Sequence, residues 1–156
     1  MNEIHIGPAA APEQVEQVRQ LFREYAQATG ACECFQDFAR ELAGLPGEYG
    51  APAGQLLLAD VDSRAAGCVA LRRLEEGISE MKRLYVRPEF RGRRLGRRLA
   101  EAILAEARRA GYRVMRLDTL PSMTAAQSLY DSLGFRSIPR YNRTPGPGVI
   151  HLELRL

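Results

Sequence analysis

Three runs of strand-forming residues follow one another with almost no chain between them. They are "GQLLLADVD" from Gly54, "AAGCVALRRL" from Ala65 and "GISEMKRLYVRP" from Gly77. The polar turn "DSR" links the first two. Connections this short can join only antiparallel neighbours, so the middle of the chain is expected to be a three-stranded meander. Pro88 closes the third run, because proline has no amide to give to a ladder.

Elements on either side extend this frame. Near the start, "IHI" reads as a short strand ended by Gly7 and Pro8. From Pro12, residues Val15, Val18, Leu21, Phe22 and Tyr25 recur at helical spacing. A second short helix is expected around Phe35 to Leu42. The Gly/Pro-rich stretch "AGLPGEYGAPAG" follows as a loop suited to facing a ligand. Beyond the meander, Leu95, Leu99, Ala102, Ile103 and Ala107 form an amphipathic stripe that Gly111 ends. "YRVMRLDT" is the next strand. Ser122 is the expected N-cap of a helix running to Leu133 and stopped by Gly134. "FRSI", the loop "YNRTPGPG" and "VIHLELRL" complete the chain. The strand before the stripe and the strand after it should be parallel, joined by a right-handed helical crossover. The class is α/β with a mixed sheet.

Length and charge narrow the options. A chain of 156 residues suits a single domain, so residues 1–156 are expected to form one. The net charge is only +3, from 22 basic and 19 acidic residues. The clustering says more than the sum: "VRPEFRGRRLGRRL", Val86 to Leu99, holds six arginines around two glycines and a proline. A nucleic-acid site would want stacking aromatics or a recognition helix there. Only Tyr85 and Phe90 are at hand, and the following helix is striped toward a core, so nucleic acid is not an expected partner. The start shows no basic leader, and no apolar run could span a bilayer, so a cytoplasmic protein without membrane partners is expected. Three cysteines, an odd number, fit reduced thiols. Cys32 and Cys34 lack a second ligand pair, and His5 and His151 sit at the chain ends, so no metal is expected.

The arginine cluster lies where a strand runs into a helix. The first turn of a helix leaves amide donors unpaired, and its dipole adds partial positive charge. A phosphate fits that geometry, and Gly92 and Gly96 let it approach the main chain. A diphosphate ligand is therefore the chemistry the junction favours, against a merely solvated basic face. A dinucleotide fingerprint is the competing motif, with Asp118 placed like a ribose ligand. It needs G-x-G-x-x-G, and "GRRLG" has the wrong spacing.

Taken together, "LYVRPEF", "RGRRLGRRL" and "AAQSLYDSLGF" resemble the GNAT superfamily of N-acetyltransferases. The acetyl-CoA motif of that family is Q/R-x-x-G-x-G/A. Arg91 matches its first position and Gly96 its last, while Arg94 stands where the middle glycine would be. The resemblance runs from the first helix to the last strand. It implies a largely antiparallel twisted sheet with helices on both faces. It also implies acetyl transfer from acetyl-CoA, as co-substrate, to a primary amine by direct attack in a ternary complex. The acceptor would be a small molecule, amino-acid-like or polyamine-like. A non-catalytic acyl-CoA sensor and a protein or peptide N-acetyltransferase are the alternatives, and a homodimer is a common family assembly.

The resemblance also assigns residues. The pyrophosphate would rest on Arg91, Gly92, Arg93, Arg94, Leu95, Gly96 and Arg97. The pantetheine arm would add to the strand at Leu84, Tyr85 and Val86, splayed by a bulge. Gln127 and Tyr130 complete the cofactor contacts. The Val86 amide would be the oxyanion donor. Tyr130, in "LYxxLGF", is the candidate acid, although Ala126, Leu129, Tyr130 and Leu133 form a stripe that a core tyrosine would share. Glu80 is the candidate base, through water or as a charge partner for a cationic substrate; a salt bridge to Lys82 or Arg83 is its structural alternative. Tyr25, Glu48, Tyr49 and Tyr141 are the expected acceptor contacts, with Arg140 and Asn142 beside them.

Overall fold

The computed structural model describes residues 3–30 and 35–156; Cys32 and Cys34 lie outside them. The strands are β1 (Ile4–Pro8), β2 (Gln55–Val61), β3 (Arg64–Glu75), β4 (Ile78–Val86), β5 (Val114–Thr119), β6 (Arg136–Ile138) and β7 (Ile150–Arg155). The helices are α1 (Pro12–Thr29), α2 (Phe35–Ala43), α3 (Leu95–Arg109) and α4 (Thr124–Ser132). One seven-stranded sheet runs in the order β1-β2-β3-β4-β5-β7-β6. The meander is antiparallel, and β4 and β5 are parallel neighbours across α3, as the connections require. Asp62 and Ser63 close the β2–β3 hairpin with φ of 50° and 67°, the double left-handed geometry of a two-residue turn.

Alternation along β2 feeds two cores. Leu57, Ala59 and Val61 pack with Leu99, Ile103 and Ala107 of α3. Leu56 and Leu58 pack with Val18, Leu21 and Phe22 of α1. Helices therefore cover both faces, and a strand buried on both faces reads as a continuous apolar run. One local expectation fails. Helix α4 is capped by Met123, with no side-chain bond, and begins at Thr124. Ser122 lies inside a turn closed by the Met123 amide on the Leu120 carbonyl, 3.0 Å, one residue too early to cap. No helix among the described residues is long and apolar enough to cross a membrane.

The sheet opens at its centre. On the β3 side, Cys68 pairs with Tyr85 and Ala70 with Lys82, so Arg83 and Leu84 oppose Val69 alone. This is a β-bulge, and Arg83 takes it up with φ of 62°. On the β5 side, pairing ends at Glu80 and Arg116. From there β4 and β5 diverge and leave a wedge between them.

Candidate active site

The wedge and the turns around it form two clefts. One, of about 540 Å³, runs from Leu84, Tyr85 and Val86 to the turn at Arg91, Gly92 and Gly96, with α4 as its far wall. The other, of about 640 Å³, lies between α2 and the 143–147 loop and reaches Lys82, Arg83 and Asp118. A joining cavity of about 20 Å³ shares walls with both, lined by Tyr25, Leu84, Asp118, Thr119, Met123 and Tyr130 among others. Tyr25 and Met123 border all three spaces.

Main-chain donors line the first cleft. The first helical bond of α3 is Arg98 N–H to Arg94 O, 3.1 Å. The amides of Leu95, Gly96 and Arg97 precede it and sit in the first turn, where a helix offers its donors. Arg94, just before the helix, has φ of 58° and ψ of 22°. The residue that replaces the motif's middle glycine thus takes the backbone region glycine favours. A Cβ on Gly96 would meet Val86 Cγ2 only at 3.9 Å, so the approach over this residue is open. Along β4, the Arg87 amide bonds Ala66 O at 2.8 Å. Strand alternation turns the Val86 amide the other way, toward the wedge. The Val86 carbonyl points there too and accepts from Arg91 Nε at 3.0 Å.

Register builds a charged row across the face that carries α1 and α2. Arg72 pairs with Glu80, Glu80 with Arg116, and Arg116 with Glu153. Arg72 Nε donates to Glu80 Oε1 at 2.7 Å, and Arg116 Nε to Glu153 Oε2 at 2.8 Å. Glu80 is fully buried. Its Oε2 accepts from Tyr141 Oη at 2.5 Å and Asn142 Nδ2 at 3.2 Å. Asn142 Nδ2 also donates to Asp118 Oδ2 at 2.6 Å, and Thr144 Oγ1 donates to the same oxygen at 2.7 Å. Burial alone would raise the Asp118 carboxyl; the Lys82 charge and these two hydrogen bonds outweigh it and hold it below the ordinary carboxylate value. Burial first, then the nearby Tyr25 phenol and Asp118 carboxylate, push the Tyr130 phenol above its ordinary value.

The expected residues therefore divide. Leu84, Tyr85, Val86, Arg91, Gly92, Arg94, Leu95 and Gly96 line the first cleft. Tyr130 lines the joining cavity, and Tyr25 borders every space. Arg93 instead packs over Phe90 at 5.7 Å, and Arg97 donates to Ser132 Oγ. Gln127 donates to the Leu120 and Pro121 carbonyls and faces a separate depression beside Phe135. Tyr49 is buried edge-on against Phe22, 6.0 Å between ring centres. Glu48 bonds Arg72 Nη1 at 2.8 Å. Glu80 takes Arg72 as its ion-pair partner, and neither Lys82 nor Arg83. Lys82, Met123 and Thr119 line these spaces although no motif marks them. Lys82 was within reach: two residues past Glu80 on one strand, it shares that residue's face.

Residues 15–135 match the Acetyltransferase (GNAT) family. The chain is 38% identical over 157 residues to an uncharacterised N-acetyltransferase of Schizosaccharomyces pombe, spanning 99% of this chain and 96% of that protein. Its backbone superposes on an acetyltransferase from Streptococcus agalactiae with a TM-score of 0.82, 98% of each chain covered, at 21% identity. An N-acetyltransferase from Thermoplasma acidophilum, solved in complex with coenzyme A, superposes with a TM-score of 0.76 at 21% identity, 99% of each chain covered. With the sequence match spanning most of the fold around the wedge, the chain belongs to the GNAT family of acetyltransferases.

Proposed function

We propose that this acetyltransferase takes the acetyl group from acetyl-CoA and passes it directly to a primary amine of a small molecule, both bound at once. The observation that carries the reading is the joining cavity. Lined by Tyr130 and Leu84, it shares wall residues with the cleft at the first turn of α3 and with the cleft that carries charged side chains. Coenzyme A of the Thermoplasma relative supports the identity of the first ligand.

In this reading the pyrophosphate lies on the amides of Leu95, Gly96 and Arg97, where partial positive charge collects. The pantetheine arm adds to β4 through the wedge, as an extra strand would. The acceptor ammonium sheds a proton to water in the open second cleft and attacks the thioester carbonyl. The Val86 amide faces the oxyanion that forms. As the C–N bond is completed the C–S bond breaks, and the thiolate gains the proton that balances the one lost from nitrogen. Tyr130 hydrogen-bonds the departing sulfur. In water a phenol near 10 gives its proton to a thiolate near 8.5 at a cost of roughly 2 kcal/mol; burial steepens that cost, so Tyr130 stabilises the thiolate chiefly as a donor. Glu80 acts at one remove, holding Asn142 against Asp118.

The test is release of free thiol from acetyl-CoA in the presence of an unbiased panel of small amines, with acetylated product identified by mass. Release dependent on amine supports the reading. Acetyl-CoA binding without release from any amine favours a sensor, and acetylation of peptides alone favours a protein substrate.

A further inference from the structure

Lys82 and Asp118 stand opposite each other where β4 and β5 part. Glu80 and Arg116 form the last paired position, and each of the two residues lies two further along its own strand. The strand period puts both side chains on the face that carries the charged row. Both line the joining cavity and the second cleft. Among the described residues no ion pair joins them.

Each also keeps hydrogen-bonding capacity open. Asn142 and Thr144 both bond Asp118 Oδ2, which leaves Oδ1 with no hydrogen-bond partner among the described residues. Lys82 Nζ has none there either. The neighbouring cations are occupied: Arg72 by Glu80 and Glu48, Arg83 by Glu41. One opposed pair of open charges is thus left at the place where the acetyl group would cross.

We infer that Lys82 and Asp118 together select acceptors carrying a carboxylate beside the reacting amine, which makes the acceptor an α-amino acid. This rests on the transferase reading above. Asp118 Oδ1 takes the ammonium and orients it before its proton leaves; Lys82 takes the carboxylate, which is unchanged by the reaction. Two charges lining one small cavity match groups separated by a single carbon. A diamine would bring a second cation into the second cleft and leave Lys82 uncompensated. A simple amine would likewise leave the Lys82 ammonium without a hydrogen-bond acceptor. The amino-acid side chain extends into the second cleft, past Phe38, Leu120, Pro121 and Pro145.

The experiment compares kcat/KM for leucine with isoamylamine, and for phenylalanine with phenethylamine, with putrescine as the diamine. Thiol release is the readout. The amines cannot form the charge-assisted hydrogen bond to Lys82, which is expected to appear as a preference for the amino acid of about 30-fold. Lys82→Gln should collapse that ratio toward one, and Lys82→Glu should shift preference toward putrescine. Equal use of amine and amino acid by the wild-type protein overturns the inference while leaving the transferase reading intact. A preference that survives Lys82→Gln also overturns it. Thiol release from none of these acceptors, nor from any other amine, overturns both.

Discussion

Arg83 grips Glu41 through two parallel hydrogen bonds, Nε to Oε2 and Nη2 to Oε1, each 2.9 Å long. The pair ties α2 to the residue of β4 that carries the bulge, with φ of 62°. The guanidinium also lies over Tyr25 at 5.7 Å and Phe38 at 5.6 Å. The bulge residue is thus tied from outside the sheet to α1 and α2. Both side chains are mostly buried, 18% and 22% exposed, so removing one leaves a poorly hydrated charge. Glu41→Ala is expected to lower the unfolding free energy by about 2 kcal/mol in urea titration. Acetyl-CoA affinity by calorimetry should fall with it, because the bulge loses its clamp. Unchanged affinity would mean that the bulge is set by the β3–β4 ladder alone.

Tyr130 sits edge-on to Phe135, 5.6 Å between ring centres, and is 5% exposed. Phenylalanine keeps that packing and removes only the hydroxyl. Tyr130→Phe is therefore expected to leave acetyl-CoA affinity in place and to lower kcat by about 100-fold, the low end for a positioned proton donor. Burial raises the phenol, so activity should not decline on the alkaline side through ionisation of Tyr130 near the ordinary value of about 10. Rapid-quench measurement of the chemical step with the two proteins decides the matter; equal rates would leave Tyr130 a core residue.

The parts of this architecture that follow from short-range chemistry were legible. The meander follows from turn length, as Asp62 and Ser63 bear out, and the parallel pair from the helical crossover. The α3 stripe and the turn before it were readable because a helix terminus has the same donors whatever its sequence. The resemblance puts a bulge around Leu84 to Val86, but not its left-handed residue, Arg83, since arginine gives no sign of such backbone; only the register of β3 against β4 locates it. Tyr49 looks like a loop residue, but the 3₁₀ turn Gly47–Tyr49 folds its ring back onto Phe22. Arg72 as the partner of Glu80 could have been counted from the hairpin, whose turn fixes register. Tyr141 over Glu80 could not, because the two are 61 residues apart in sequence, with β5, β6 and two helices between them.

Arg94 combines an unfavourable backbone with a useful charge. Left-handed backbone costs a non-glycine residue roughly 1 kcal/mol or more, and glycine loses part of that gain through chain entropy. Arg94→Gly is expected to stabilise the fold by about 0.5 kcal/mol. It should also weaken acetyl-CoA binding several-fold and flatten its salt dependence, since Arg94 borders the first cleft. Urea midpoints and calorimetry at two salt concentrations measure the two effects separately. A stabilised protein with unaltered affinity would make Arg94 a solvated charge that does not reach the ligand.

His151 reports on the network behind the wedge. Asn142 points its Nδ2 at two carboxylates, Glu80 and Asp118, which turns its Oδ1 toward His151. The 2.8 Å contact from His151 Nε2 to that oxygen is then a donated N–H bond, which fixes the neutral tautomer. Burial lowers the ring's pKa, more than the Asp118 and Glu80 charges restore, with Arg140 adding to the lowering. The folded state therefore binds the ring's proton less readily than the unfolded chain does. Stability from this group is complete above the unfolded value of about 6.5 and declines as pH falls below it, until the folded ring itself protonates. Glutamine at 151 can still donate to Asn142 and does not titrate. His151→Gln should remove that component of the acid-side decline in unfolding free energy measured between pH 7 and the folded-state value. An identical decline in both proteins would place the proton uptake elsewhere in the network.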